Sequence, residues 1–214
     1  FCSDVVEEKL GALERQGKTV VLLVDQTQVL AIFAVADTLR ETSRQAVAEL
    51  HALGLTTLML TGDNTRTAEA IARAVGIDAA RGNLLPEDKA STIESLQSRR
   101  TGGKVGMVGD GINDAPALAR ADIGFAMGAA GTDIAIEAAD VALMDDDLRK
   151  IPVFVLLSRA TFNVLTQNIV LAIGIKAVFL LLAATGQATM WMAVFADMGA
   201  SLLVVANSLR LLRK

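Results

Sequence analysis

Gly106-Met107-Val108-Gly109-Asp110-Gly111-Ile112-Asn113-Asp114-Ala115-Pro116 is the stretch on which the fold turns. An apolar run ends in a turn of glycines and acids, and a short helix follows. The same design stands upstream, where Leu58-Met59-Leu60 runs into Thr61-Gly62-Asp63-Asn64 and a helix is predicted over Thr65–Val75. Strands alternating with helices imply a parallel sheet covered on both faces, an α/β fold. In such sheets ligands gather outside the carboxyl ends of the strands, so both acidic turns are expected to face one crevice.

Working outward, Asp4–Gln16 reads as a helix, and Thr19–Val24 and Val29–Val35 as a hairpin around the polar turn Asp25-Gln26-Thr27-Gln28. After Asp37 the period changes. Helices are predicted over Glu41–Leu53, Thr65–Val75, Pro86–Gln97, Asp114–Ala119 and Thr132–Ala138. Strands are predicted over Thr57–Leu60, Lys104–Val108, Ile123–Ala126 and Val141–Met144. Pro86 with acids in the first turn marks a helix start.

The two turns carry the chemistry. Thr61 offers a hydroxyl and Gly62 an unobstructed backbone N–H, both suited to a phosphoryl oxygen. Asp110 and Asp114 place two carboxylates around a tight glycine turn. Hard oxygens held this way suit Mg²⁺, which takes one or two carboxylates with phosphate and water. Lys89 is placed to neutralise charge on a phosphoryl group. Alone, Asp63 would be an ordinary helix N-cap, and Asp110 and Asp114 ordinary turn residues. Two such turns on alternating strands, with a lysine between them, favour phosphoryl chemistry.

The remaining third of the chain differs in kind. Asp147–Thr166 reads as an interfacial lead-in helix, followed by apolar spans at Gln167–Thr185 and Ala188–Leu209, each near the ~20 residues a bilayer crossing needs. Lys176 falls near the middle of the first and Asp197 near the middle of the second. An ionisable group at that depth costs roughly 3 kcal/mol or more, so opposite charges there are expected to pair and to mark an ion path. Arg159, Arg210, Arg213 and Lys214 flank the spans on one side, which puts those ends and the acidic domain in the cytoplasm. Trp191 suits the opposite interface.

Composition agrees with this division. Five basic residues and one acid follow Ile151, a charge of +4; fifteen basic and 23 acidic residues precede it, a charge of −8. With no basic stripe on the acidic part, nucleic acid is excluded as a partner. A single cysteine, Cys2, excludes a disulfide framework and a cysteine-based zinc site. His51, within a predicted helix, reads as an ordinary histidine. Two further patterns fail. Gly11 to Thr19 has the wrong glycine spacing for a P-loop and leads from helix to strand, the reverse of the required order. Gly109-x-Gly111 carries Asp114 where a dinucleotide fingerprint needs glycine, and a carboxylate there repels pyrophosphate.

Thr61-Gly62-Asp63-Asn64 and the run from Met107 to Leu118 closely resemble the hinge motifs of P-type cation-transporting ATPases, whose phosphorylation domain has the haloacid dehalogenase-like fold. Gly131-Thr132-Asp133 and Asp140-Val141-Ala142-Leu143 continue the likeness. The resemblance implies three parts: 1–36 as the end of a nucleotide-binding domain, 37–147 as the phosphorylation domain, entered at Asp37-Thr38-Leu39-Arg40, and 148–214 as a lead-in helix with the last two transmembrane helices. It implies ATP and Mg²⁺ as cofactors. Mg²⁺ would be held at Asp110 and Asp114 with Asn113 nearby, and the phosphoryl group would meet Thr61, Gly62, Asp63 and Lys89. Asn168, Lys176, Asp197-Met198-Gly199 and Asn207-Ser208-Leu209-Arg210-Leu211 resemble the last two spans of exporters of Zn²⁺, Cd²⁺ and Pb²⁺. Asp197 would then be a ligand of the transported metal and Lys176 its counter-charge.

A carboxylate suits a divalent ion, whereas Cu⁺ prefers sulfur, so Met190, Met192 and Met198 are what would support a copper transporter instead. A membrane-tethered phosphatase of the same fold and a non-catalytic membrane protein compete with the exporter. The family's Asp-Lys-Thr-Gly-Thr, Cys-Pro-Cys and His-Pro motifs are absent from the sequence. The chain is therefore expected to be a fragment of a bacterial plasma-membrane pump, inactive by itself. Its parallel sheet is expected to be incomplete, with a gap flanked by unpaired strand edges where the phosphorylated strand would lie.

Overall fold

The computed structural model describes residues 4–16, 18–35, 39–99, 102–128 and 133–213. The chain divides into two compact units, Phe1–Pro152 and Val153–Lys214.

The first unit opens with helix α1 (Asp4–Glu14) and an antiparallel hairpin, β1 (Thr19–Val24) and β2 (Val29–Val35). The hairpin turn is built by Asp25, whose carboxylate accepts from the Thr27 and Gln28 amides at 2.7 and 2.8 Å. This is the local side-chain turn that aspartate favours. Helix α2 (Glu41–Ala52), β3 (Leu58–Leu60), α3 (Thr65–Val75), β4 (Ala79–Arg81), α4 (Pro86–Arg99), β5 (Gly106–Gly109), α5 (Ala115–Arg120), β6 (Ile123–Met127), α6 (Asp133–Ala138) and β7 (Val141–Leu143) follow.

All of these later strands pair in parallel, as the alternation predicts, but in two separately bonded sheets: β3-β4, and β5-β6-β7. β3 and β5, the strands bearing the acidic turns, are each an outermost strand of their sheet, in agreement with the expected incomplete sheet.

An aspartate stands immediately before β4, β6 and β7 and holds the backbone of the neighbouring strand. Asp78 Oδ2 accepts from the Thr57 amide at 2.7 Å, Asp122 Oδ2 from the Val105 amide at 2.8 Å, and Asp140 Oδ2 from the Gly124 amide at 2.8 Å. These bonds satisfy donors at the ends of the ladders and fix the strand register. His51, in α2, joins the first of them through Nε2, 3.0 Å from both Thr57 Oγ1 and Asp78 Oδ2, so the ring has a structural role.

Ala90, Ile93, Met107, Ala117 and Leu118 form the buried core, with Leu60, Val105, Ala121 and Ala138 packed against it. Leu60 at the end of β3 and Met107 in β5 thus rest on one apolar cluster.

Three sequence expectations are corrected. Strand β4 is absent from the predicted elements: Ala-Ala-Arg has no β-branched or aromatic residue, and its pairing with β3 decides its state. The turn after β5 is a 3₁₀ segment, Ile112–Asp114, before α5 begins. The separate lead-in helix does not exist, because Lys150–Ala184 is one continuous helix of 35 residues, α7. Pro152 lies in its first turn, where proline is tolerated, and no proline interrupts it later. Asp147 stands just ahead of α7, its carboxylate bonded to the Arg149 amide at 3.0 Å and to the Arg149 guanidinium. Those bonds hold the Asp147 carboxyl down at about 2. Thr132 lies outside the described residues, as do Gly131 and Asp37-Thr38.

In the second unit, α7 ends at the Gly186-Gln187 turn, and Thr189 caps α8 (Met190–Ser208) by accepting from the Met192 amide. Both α7 and the run Met190–Leu212 are long and apolar enough to cross a membrane, and only 6% of each apolar window is buried within the protein.

Candidate functional site

The first acidic turn is fixed by the loop that follows β4. Thr61 N–H donates to Arg81 O at 3.0 Å, extending the ladder one residue beyond β3. Leu84 N–H donates to Thr61 O and Asn83 N–H to Asp63 O, at 3.1 and 2.6 Å. Gly82 permits this approach: a Cβ there would lie 2.6 Å from Asp63 O and from Thr65 N. Thr61 Oγ1 accepts from the Asp63 amide and donates to Asp63 Oδ2, each at 3.1 Å, folding the turn upon itself. Asn64, rather than Asp63, caps α3: its side chain accepts from Arg66 N at 2.8 Å. The Asp63 carboxylate therefore remains exposed, with the Thr61 hydroxyl bonded to it.

The second turn is organised around Asp114. Its amide donates to Gly111 O at 3.0 Å, closing the 3₁₀ turn. Its carboxyl folds back under Gly109, where an added Cβ would lie 2.6 Å from Asp114 Cβ. Lys89 Nζ donates to Asp114 Oδ1 at 2.7 Å, and both side chains are only 13% exposed. In contrast, Asp110 and Asn113 point into solvent, and neither side chain has a hydrogen-bond partner among the described residues.

The segment 84–89 joins the two turns. Leu84 holds Thr61 from one side, the Leu85 amide donates to Asp88 Oδ2 at 3.0 Å to start α4, and Lys89 reaches Asp114 from the first turn of that helix.

Of the sequence-predicted residues, the structure brings Thr61 to Asp63 and Lys89 to Asp114. It does not gather Asp63 with Asp110 and Asp114 into one acid cluster; among the described residues no group of three or more acids, histidines or cysteines is placed to hold a metal. The donor set at the second turn nevertheless fits Mg²⁺. One exposed, unpartnered carboxylate and one buried carboxylate match the one or two that Mg²⁺ takes, with water and phosphate supplying the rest.

The supporting roles of Gly82, Gly109 and Asn83 escape a reading of the sequence, although Gly82-Asn83 is a turn signal. So does Glu14, whose carboxylate accepts from Asn64 Nδ2 at 2.8 Å and Arg66 Nη1 at 3.3 Å, tying α1 to the first turn.

In the second unit, Lys176 Nζ lies 3.8 Å from Asp197 Oδ1. The two helices place their charges at one level, as their positions within the apolar spans predict. A polar cluster lies elsewhere on the same pair. Asn168 Nδ2 donates to Ser208 Oγ and Asn207 Nδ2 to Asn168 Oδ1, both at 2.9 Å.

Parallel strands that each end in an acidic turn, with a lysine delivered from the helix between them, define an α/β domain. Residues 4–122 match the model of the haloacid dehalogenase-like hydrolases, and the chain belongs to that family. Curated relatives include a cadmium-transporting ATPase of Staphylococcus aureus, 50% identical over 97% of this chain and 28% of that protein. A zinc/cadmium/lead-transporting P-type ATPase of Escherichia coli (strain K12) is 46% identical over 99% of this chain and 28% of that protein. The crystal structure of a zinc-transporting PIB-type ATPase in its E2.Pi state superposes with a TM-score of 0.85 at 46% identity, covering 99% of this chain and 34% of that one. The chain thus spans roughly a quarter to a third of the length of these proteins.

Proposed function

We propose that this chain is the C-terminal part of an ATP-driven exporter of Zn²⁺, Cd²⁺ or Pb²⁺, set in a bacterial plasma membrane with its α/β domain and C-terminus in the cytoplasm. Residues 1–36 complete a nucleotide-binding domain, 37–147 form the phosphorylation domain, and 148–214 supply the last two membrane helices. The observation that carries the reading is the Lys176–Asp197 pair, opposite charges 3.8 Å apart on two helices apolar enough to cross a bilayer. Charges so placed need a function to offset their cost, and a phosphoryl-handling domain in the same chain supplies the energy source.

In this reading ATP phosphorylates an aspartate that the chain does not contain. Bound Mg²⁺ would supply charge neutralisation between the phosphate oxygens and the carboxylates of Asp110 and Asp114. Asp110, exposed and without a partner among the described residues, would hold the cation from the solvent side. Asp114, buried under Gly109, would be the fixed ligand; Lys89 holds its carboxylate in place and would carry positive charge toward the phosphoryl group. Thr61 and Gly62 present a hydroxyl and an amide to phosphoryl oxygens, and Thr61 exchanges its bond to Asp63 for one to phosphate. In the membrane Asp197 ligates the transported ion; when the ion leaves, Lys176 compensates the bare carboxylate.

Phosphoenzyme formation from γ-labelled ATP tests the coupling of these parts. The 214-residue chain incorporates no label. The complete pump does, and Asp110→Asn or Asp114→Asn lowers its incorporation by about 10²-fold or more, the scale of losing one charge-stabilising group. Label on the isolated chain, or full labelling of both variants, would contradict the assignment.

A further inference from the structure

Two apolar helices in lipid have no hydrophobic reason to prefer one axial register, since lipid tails are as apolar as leucine; polar bonds and close packing must select it. One connected set of such bonds joins α7 to α8. Arg210 Nη1 donates to Asn207 Oδ1 at 3.0 Å, and Asn207 Nδ2 donates to Asn168 Oδ1 at 2.9 Å and Gln167 Oε1 at 3.3 Å. Asn168 Nδ2 donates to Ser208 Oγ at 2.9 Å, and the Ser208 hydroxyl donates its own proton to Val204 O at 2.9 Å. Asn168 sits at the centre and is 8% exposed, whereas its neighbours Ile169 and Val170 are 50% and 65% exposed.

We propose that Asn168 is a positioning residue: its amide, clamped between Asn207 and Ser208, sets the axial register in which Lys176 reaches Asp197. The spacing supports this. Asn168 to Lys176 spans about 12 Å of helix and Asn207 back to Asp197 about 15 Å, at 1.5 Å per residue. The offset of about 3 Å lies within the reach of a lysine side chain, whereas a slip of one turn, about 5.4 Å, would carry Lys176 toward the level of Val194 or Ser201, neither of which answers its charge. The ion pair alone makes a poor ruler, being a single contact at 3.8 Å reached through the long, flexible lysine side chain. The amide clamp makes two bonds at 2.9 Å through a short side chain. The inference concerns the residues assigned above to the transported metal but stands on their pairing, so a protein that failed to pump would leave it intact.

The test is zero-length coupling in lipid vesicles containing the full 214-residue chain. Dicyclohexylcarbodiimide, which partitions into bilayers, activates the Asp197 carboxylate; the Lys176 amine displaces the urea, and mass spectrometry reads the resulting amide. Asn168→Leu should lower the amide yield by about three- to fifteen-fold, the population shift that interhelical hydrogen bonds in membranes support. Ser208→Ala should lower it less, and adding Ser208→Ala to Asn168→Leu should change nothing further. Thr166→Val, which removes a hydroxyl bonded among the described residues only to Phe162 O of its own helix, should couple like the unaltered chain. Should Asn168→Leu fail to insert, Ser208→Ala decides alone. Unchanged coupling in both variants, or an equal loss in Thr166→Val, would overturn the proposal.

Discussion

At residue scale, two carboxylates on one turn are given different environments. Asp114 is buried and paired with Lys89, whereas Asp110 is exposed and without a partner among the described residues. Sequence spacing makes them look alike; what separates them is Gly109, whose missing side chain lets Asp114 fold inward. A similar local effect governs Asp147. The Arg149 side chain, its backbone amide and its positive charge lower the Asp147 carboxyl from 3.8 to about 2. A depressed carboxylate pKa contributes stability that is fully present above the unfolded value and is lost as pH falls through the folded one. The stability difference between the unaltered protein and Asp147→Asn, read from denaturant midpoints, should therefore be constant near neutrality and vanish between about pH 4 and pH 2. A difference that persists at pH 2 would contradict the pairing. Asp78, lowered by the Thr57 amide and hydroxyl, should show the same sign.

At the scale of elements, the aspartates before β4, β6 and β7 act as register locks. Asp140→Ala would leave the buried Gly124 amide without its acceptor and should destabilise the first unit by about 1–3 kcal/mol, the usual cost of orphaning a buried donor. Denaturant unfolding measures this, and a loss below about 0.5 kcal/mol would show that water replaces the carboxylate. Elements with strong periodicity or clear punctuation were legible in the sequence. β1, β2 and α3 have the bounds expected of them, because two β-rich runs and the Asp25 turn fix the hairpin and Asn64 and Gly76 bracket the helix. β4 was illegible because its three residues lack β propensity and exist as a strand through β3. The continuity of α7 was hidden by a change in residue character near Gln167, where the surface of the helix changes while its backbone does not. The acidic turns could be read from spacing; the glycine contacts and the Glu14 tether could not, since they join residues distant in sequence.

At the scale of the whole molecule, an acidic α/β domain of the haloacid dehalogenase-like family shares one chain with a pair of long apolar helices bearing a lysine and an aspartate in contact. Neither part explains the other alone. A haloacid dehalogenase-like domain has no need of charges among apolar helices, and an unpowered ion pair moves nothing. Coupling them in the exporter proposed above accounts for both and makes Asp197 the residue where the account is most exposed. Metal-stimulated ATP hydrolysis by the complete pump in vesicles, with and without Asp197→Ala, is the direct test. Loss of a metal ligand should weaken stimulation by Zn²⁺ and Cd²⁺ by more than about tenfold. Full Zn²⁺ stimulation in Asp197→Ala would contradict it and remove Asp197 from the transport site.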